Sequence, residues 1–207
     1  IDRIKNRFSK DLSSNDRDEF KDNLKIINNQ IKQIEKLVNE FSDFARMPKP
    51  IFKKNELNKI IKDTINLMKT NDKDIAINFY PSEVYYVNSD IEQLSRVFIN
   101  LFKNSIESLK EKYEKKGFFQ KKIDVEIQLI NDYINIDIED NGIGFTNNNL
   151  KTLSKPYFTT KKKGSGLGLS IVEKILNDHN GFIEFISKKE GAKIKILLPK
   201  HVNWNFD

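Results

Sequence analysis

Along residues 16–46 the apolar positions Phe20, Leu24, Ile27, Ile31, Ile34, Val38, Phe41 and Ala45 recur at spacings of 4, 3, 4, 3, 4, 3 and 4. This is a heptad seam, and it predicts one long helix whose apolar stripe must be buried against other helices. Ser13-Ser-Asn-Asp16 ahead of it reads as a turn, with Asn15 or Asp16 as N-cap. Residues 1–11 read as the end of an earlier helix, too short to cover the roughly seven turns of the seam. A second copy of the chain is the expected source of the remaining cover. The alternative is a helix packed on its own globular domain.

Met47-Pro-Lys-Pro50 ends this pattern, because proline cannot continue a helix and restricts the residue before it. The segment is the expected domain boundary. Asn55 is then expected to cap a helix with Leu57, Ile60, Ile61, Ile65 and Met68 on one face. Residues 75–80 alternate as a strand, and 84–87 form a short second one. Asp90 is expected to open a helix running to about Lys112, followed by a mostly polar loop over 114–121. Residues 123–130 and 133–139 predict a hairpin across Asn131-Asp132, and 145–163 are polar and weakly patterned. A helix over 169–177 and a hairpin of 181–187 with 192–198, around Lys189-Glu-Gly191, complete the pattern. Helices and antiparallel hairpins intermix, so the fold class is α+β, with helices on one face of a mixed sheet.

Composition changes this picture little. The chain has 207 residues, enough for one domain and an appendage, and it contains no cysteine, which excludes disulfides and thiol chemistry. The net charge of +6 arises from 36 basic residues mixed among 30 acidic ones, which reads as a solvated surface. The most basic cluster, 110–122 with Phe118 and Phe119, reads as an exposed loop, and no nucleic-acid partner is expected. No apolar run approaches the roughly twenty residues needed to span a membrane, and no signal peptide is visible.

The candidate chemistry lies in two glycine clusters. Asp140-Asn-Gly-Ile-Gly-Phe145 directly follows an alternating strand, and Lys161-Lys-Lys-Gly-Ser-Gly-Leu-Gly-Leu169 runs straight into an apolar helical pattern. A glycine-rich turn that opens a helix aims free N–H groups at an anion, with the helix dipole adding to the attraction. A carboxylate at a strand end, Asp140, is placed to accept a hydrogen bond from a base amino group. Asn100 and Asn104 are four residues apart, so they share one helix face next to Lys103. An amide oxygen is a hard neutral ligand suited to Mg²⁺. His179 stands in Asp178-His-Asn-Gly181 and reads as structural, and His201 has no evident partner.

Together these motifs resemble the ATP-binding domain of sensor histidine kinases, within the superfamily shared with gyrase, Hsp90 and MutL. Asn100-Leu-Phe-Lys-Asn104 resembles the N box and Asp140 to Gly144 the G1 box. Pro156-Tyr-Phe-Thr-Thr-Lys161 resembles the F box and Gly164 to Gly168 the G2 box, all in family order. The resemblance spans about residues 1–200. It implies a partial helical dimerisation hairpin over 1–47, a linker at 48–52, an α/β-sandwich ATP-binding domain of the Bergerat type over 53–200, and a tail at 201–207. By resemblance, Asp140 reads adenine, Gly142 and Gly144 let the chain pass close to the nucleotide, and Gly164, Gly166, Leu167 and Gly168 form the phosphate turn. Asn104 ligates Mg²⁺, with Asn100 and Lys103 near the phosphates. Residues 145–163 form the ATP lid, anchored by Phe158, with Thr159, Thr160 and Lys161 near phosphate.

In the gyrase and Hsp90 relatives a glutamate at the position of Asn100 activates water. Asparagine cannot serve as that base, which favours phosphoryl transfer over an ATP-gated ATPase. The intact boxes argue against a non-enzymatic dimerising module. The implied cofactors are ATP and Mg²⁺. The implied partners are a second copy through residues 20–45 and a response-regulator receiver domain, with membrane contact only through regions absent from this chain. The implied location is the cytoplasmic portion of an inner-membrane protein.

Two departures matter. The family's phospho-accepting histidine is missing, since none occurs before residue 179, and the start at Ile1 reads as a truncation. Gly191-Ala-Lys-Ile194 replaces a Gly-Thr-x-Phe pattern, which removes a polar contact to the base from position 192. The segment Asn39 to Pro50 resembles the NtrY type of nitrogen-regulation sensor kinase.

Overall fold

The computed structural model describes residues 14–69, 74–145, 150, 153, 155 and 164–200. The expected first helix, the lid residues Phe158, Thr159, Thr160 and Lys161, and His201 lie outside the described residues. Two compact units are present, one built on residues up to Met47 and one from Pro48 onward, with Gly164 and Ser165 grouped in the first.

The first unit is the long helix α1, Ser14–Ala45. It begins two residues earlier than expected, so Asn15 and Asp16 lie inside its first turn rather than at its cap. The heptad seam leaves Ile27, Ile31, Ile34, Val38 and Phe41 each about half exposed, while Leu24 is buried.

The second unit opens with an element that the sequence pattern did not predict. Strand β1, Lys53–Glu56, pairs antiparallel with β3, Tyr86–Ser89. Asn55 therefore lies on a strand and caps nothing; its amide donates to the Ser89 carbonyl at 2.8 Å. Helix α2, Leu57–Lys69, follows without a break. Asn58 makes that junction possible. Its Oδ1 accepts the Tyr85 N–H at 2.8 Å, and its Nδ2 donates to the Glu83 carbonyl at 2.7 Å. One buried side chain thus continues the β1–β3 pairing into the first turn of the helix. As expected, Leu57, Ile60, Ile61, Ile65 and Met68 are all buried.

Strands β2 (Ala76–Phe79), β4 (Lys122–Ile130), β5 (Tyr133–Asp140), β6 (Phe182–Ser187) and β7 (Ala192–Pro199) form a five-stranded sheet in the order β2-β4-β5-β7-β6. Only β2–β4 is a parallel pair, so the sheet is mixed. The β4–β5 hairpin turns at Asn131 with φ of 55°, a left-handed conformation that asparagine tolerates. Strand β5 is central, with Ile134, Ile136 and Ile138 almost fully buried.

Helix α3, Ile91–Lys116, extends four residues beyond the expected end. Its start is capped by Asp90, whose side chain accepts the N–H groups of Glu92 and Gln93. Its end is set by Gly117, which takes φ of 81°. The stripe Leu94, Val97, Phe98, Leu101, Phe102 and Leu109 is buried to 0 % exposure. Each such side chain contributes about 1.5–3 kcal/mol, which fixes α3 rigidly. Helix α4, Gly168–Asp178, packs beside α3 through Ile171, Val172, Ile175 and Leu176.

Candidate nucleotide-binding site

The candidate site begins at Asp140, the end of β5 in the middle of the sheet. Asp140 is 5 % exposed. Its Oδ1 accepts the Gly142 N–H at 2.9 Å and lies 3.5 Å from the Ser108 hydroxyl of α3. Burial pushes the Asp140 carboxyl up, while Gly142 and Ala192 N–H groups and the Ser105 and Ser108 hydroxyls pull against it. Of these, the buried Ser105 hydroxyl faces the carboxylate without making a hydrogen bond of ordinary geometry. The net result is a carboxylate poised above its usual range, an acceptor inside a nearly closed wall.

The glycines after it are required by space. A Cβ at Gly142 would lie 2.1 Å from the Ser108 hydroxyl. At Gly144, which has φ of 75°, a Cβ would lie 2.4 Å from the Gly191 carbonyl oxygen. The turn is stapled by Asn141, a residue that the motif reading passed over. Its Oδ1 accepts the Lys122 N–H at 2.9 Å, its Nδ2 donates to the Gln120 carbonyl at 2.8 Å, and its carbonyl accepts Lys112 Nζ at 2.6 Å. Phe145 closes the segment edge-on against Phe185 at 5.7 Å between ring centres.

On α3, Asn100 and Asn104 are half-buried and Lys103 is exposed. Asn100 donates its amide to the Arg96 carbonyl one turn back at 2.8 Å, which fixes its rotamer. Its Oδ1 approaches the first residue of α4 so closely that a Cβ at Gly168 would sit 3.3 Å away. Leu167, 1 % exposed, anchors the turn. No side chain caps the first turn of α4. Gly168 therefore meets Asn100 of α3. From Asn100 to Ser108, α3 rises about 12 Å, the length scale of a nucleoside triphosphate.

These features fit ATP: a buried carboxylate acceptor, a glycine turn beside it, and a helix start without a side-chain cap beside the Asn100 amide. Among the described residues no group of three or more His, Cys, Asp or Glu side chains could hold a metal ion. A divalent ion here would depend on nucleotide phosphates and a neutral oxygen such as that of Asn104, the donor set that Mg²⁺ favours. Gly164 is grouped with the first compact unit, and Gly166 and Gly168 with the second.

His179 is structural in its surroundings. It is 4 % exposed, and burial holds its imidazole below the usual value, against the pull of the Ile175 carbonyl, Asp90 and Asp178.

A family profile described as "Histidine kinase-, DNA gyrase B-, and HSP90-like ATPase" matches residues 89–202. The nitrogen regulation protein NtrY of Azorhizobium caulinodans is 33% identical over 197 residues, covering 95% of this chain and 25% of that protein. Sporulation kinase C of Bacillus subtilis is 33% identical over 184 residues, covering 86% of this chain and 41% of that protein. The chain thus spans a quarter to two fifths of the length of these relatives. Histidine kinase ThkA, solved in complex with response regulator protein TrrA, superposes with a TM-score of 0.71 at 24% identity, over 94% of this chain and 55% of that one. The chain belongs to the family of histidine kinase-, DNA gyrase B- and HSP90-like ATPases, and its ATP-binding domain is of the histidine-kinase kind.

Proposed function

We propose that this chain is the ATP-binding catalytic region of an NtrY-type two-component sensor histidine kinase. The observation that carries the nucleotide assignment is the buried Asp140 carboxylate, backed by a glycine turn that leaves no room for side chains. Bound Mg-ATP supplies the γ-phosphoryl group that passes to a histidine and onward to a response-regulator aspartate. Asp140 accepts the adenine amino group, and Gly142 and Gly144 admit the base to the main chain. The start of α4 at Gly166, Leu167 and Gly168 directs N–H groups toward phosphate. Asn104 offers its oxygen to Mg²⁺, with Asn100 and Lys103 alongside. Gly164, Phe158, Thr159, Thr160 and Lys161 complete the phosphate side and the lid. Asn100 supplies no base for activating water, so the site favours transfer over hydrolysis.

The half-exposed seam of α1 supports a homodimer through residues 20–45. The complex of ThkA with TrrA supports a receiver domain as partner. No described helix is long and apolar enough to cross a membrane. This fits a cytoplasmic kinase region attached to the membrane through other segments.

Calorimetric titration tests the base assignment. Asp140→Asn weakens ATP binding by about 1–3 kcal/mol and leaves GTP nearly unchanged; equal ATP affinity in the two proteins refutes it. Sedimentation tests the seam. Ile31→Asp converts dimers to monomers, and a wild-type chain that is monomeric at high concentration removes the dimer assignment. With γ-labelled ATP this chain takes up no acid-labile label, because its two histidines are His179, which is buried, and His201. Label mapped to either histidine overturns the missing-acceptor reading.

A further inference from the structure

Ser108 has no part in the sequence motifs, yet it sits where α3 meets the glycine turn. Its hydroxyl accepts the Ile143 N–H at 3.1 Å and lies 3.5 Å from Asp140 Oδ1. With that acceptance made, its own proton is left to point at the carboxylate. The same hydroxyl fills the space that a side chain at 142 would need. Oδ1 is thus held by a hydroxyl from α3 and, at 2.9 Å, by the Gly142 N–H of the turn itself. Lys112, one turn further along α3, grips the neighbouring Asn141 carbonyl.

We infer that Ser108 is a positioning residue for base selection: its hydroxyl clasps the Asp140 carboxylate to the Ile143 amide and fixes the rotation at which the carboxylate meets a purine. The inference rests on the assignment of Asp140 as the adenine reader. A carboxylate locked as an acceptor welcomes the 6-amino group of adenine and repels the 6-oxo group of guanine. Discrimination between such groups depends on buried polar atoms being unable to turn away. The donors at Oδ1, the Gly142 N–H and the Ser108 hydroxyl, are neutral, so the clasp also helps keep the carboxylate ionised against burial.

The test uses the whole chain, with ATP and GTP titrated from pH 5 to 8. Ser108→Ala is expected to bind ATP about tenfold more weakly with GTP affinity unchanged. Its loss of ATP affinity on acidification should set in at higher pH than in wild type. Ser108→Cys fills the same space with a weak donor and shows the same two changes, so the result is read even where the alanine variant unfolds. Ser108→Thr keeps the hydroxyl and restores both. Wild-type ATP binding beside Ala and Cys variants of unchanged affinity and pH profile overturns the inference alone. A wild-type chain that binds no ATP overturns the nucleotide assignment and this inference with it.

Discussion

The imidazole of His179 accepts the backbone N–H of Asp90 at 3.0 Å, joining the end of α4 to the start of α3. Its other nitrogen lies 2.7 Å from the Ile175 carbonyl, so the proton sits on Nδ1 and the ring is neutral. Phe52 packs edge-on against the ring at 5.1 Å. Asp90 in turn accepts the Ile51 N–H at 2.9 Å, so one residue caps α3 and holds the segment that follows Pro50.

Protonating this ring turns an acceptor into a donor facing an N–H. Because the folded-state pKa is depressed, its contribution is complete above the unfolded imidazole value of about 6.5. It declines as pH falls from there toward the folded value. Burial works to raise the Asp90 carboxyl, but the N–H groups of Ile51, Gln93 and Glu92 outweigh it and hold it low. Its contribution is therefore lost only at still lower pH, below the usual carboxylate range. Denaturant unfolding between pH 5 and 8 should show stability falling with acidification in wild type. His179→Gln, which does not titrate, should flatten that slope; an unchanged slope assigns it to another group.

Gly191 and Gly117 both take positive φ, at 78° and 81°, but in different surroundings. A Cβ at Gly191 would lie 1.8 Å from the Asp140 carbonyl oxygen, whereas one at Gly117 meets nothing within 4 Å. Gly117→Ala should cost about 1–3 kcal/mol, the backbone penalty alone, because φ of 81° with ψ of −159° is a conformation open essentially only to glycine. Gly191→Ala should cost more than that and weaken ATP binding, because the strand end that carries Asp140 must move. Paired melting curves check this, and equal losses would show that φ, not crowding, decides.

Asn58→Ala leaves the Tyr85 N–H and the Glu83 carbonyl without their partner. The expected loss is about 1–3 kcal/mol, with faster hydrogen exchange at the Tyr85 amide than at Val87. Exchange that stays slow at Tyr85 would mean that another acceptor takes over.

The glycine clusters, the β4–β5 hairpin and the apolar face of α2 were legible in the sequence because each imposes a local pattern: close backbone turns, alternation, or 3.6-residue periodicity. Strand β1 was not. Lys53-Lys-Asn-Glu56 is polar at every position and gains its structure from pairing with β3, a partner 30 or more residues away. The same pairing shifted β3 from the expected 84–87, since Val84 is exposed while Val87 is buried. Ser108 and Asn141 were equally silent. A serine on a helix or an asparagine in a turn looks ordinary until tertiary packing brings a carboxylate or a strand end beside it.

Strand β7, the last in the chain order of the described residues, is not at the sheet's edge but between β5 and β6. During synthesis the middle strand β5 must therefore wait, with one side of Ile134, Ile136 and Ile138 unpaired, until some sixty further residues have left the ribosome. The Asp140 end of β5 is also completed late, because its partner Ala192 opens that late strand. The wall around Asp140 is thus whole only in a chain that already reaches Ala192, and nascent chains halted before residue 192 should remain protease-sensitive whatever the ATP concentration.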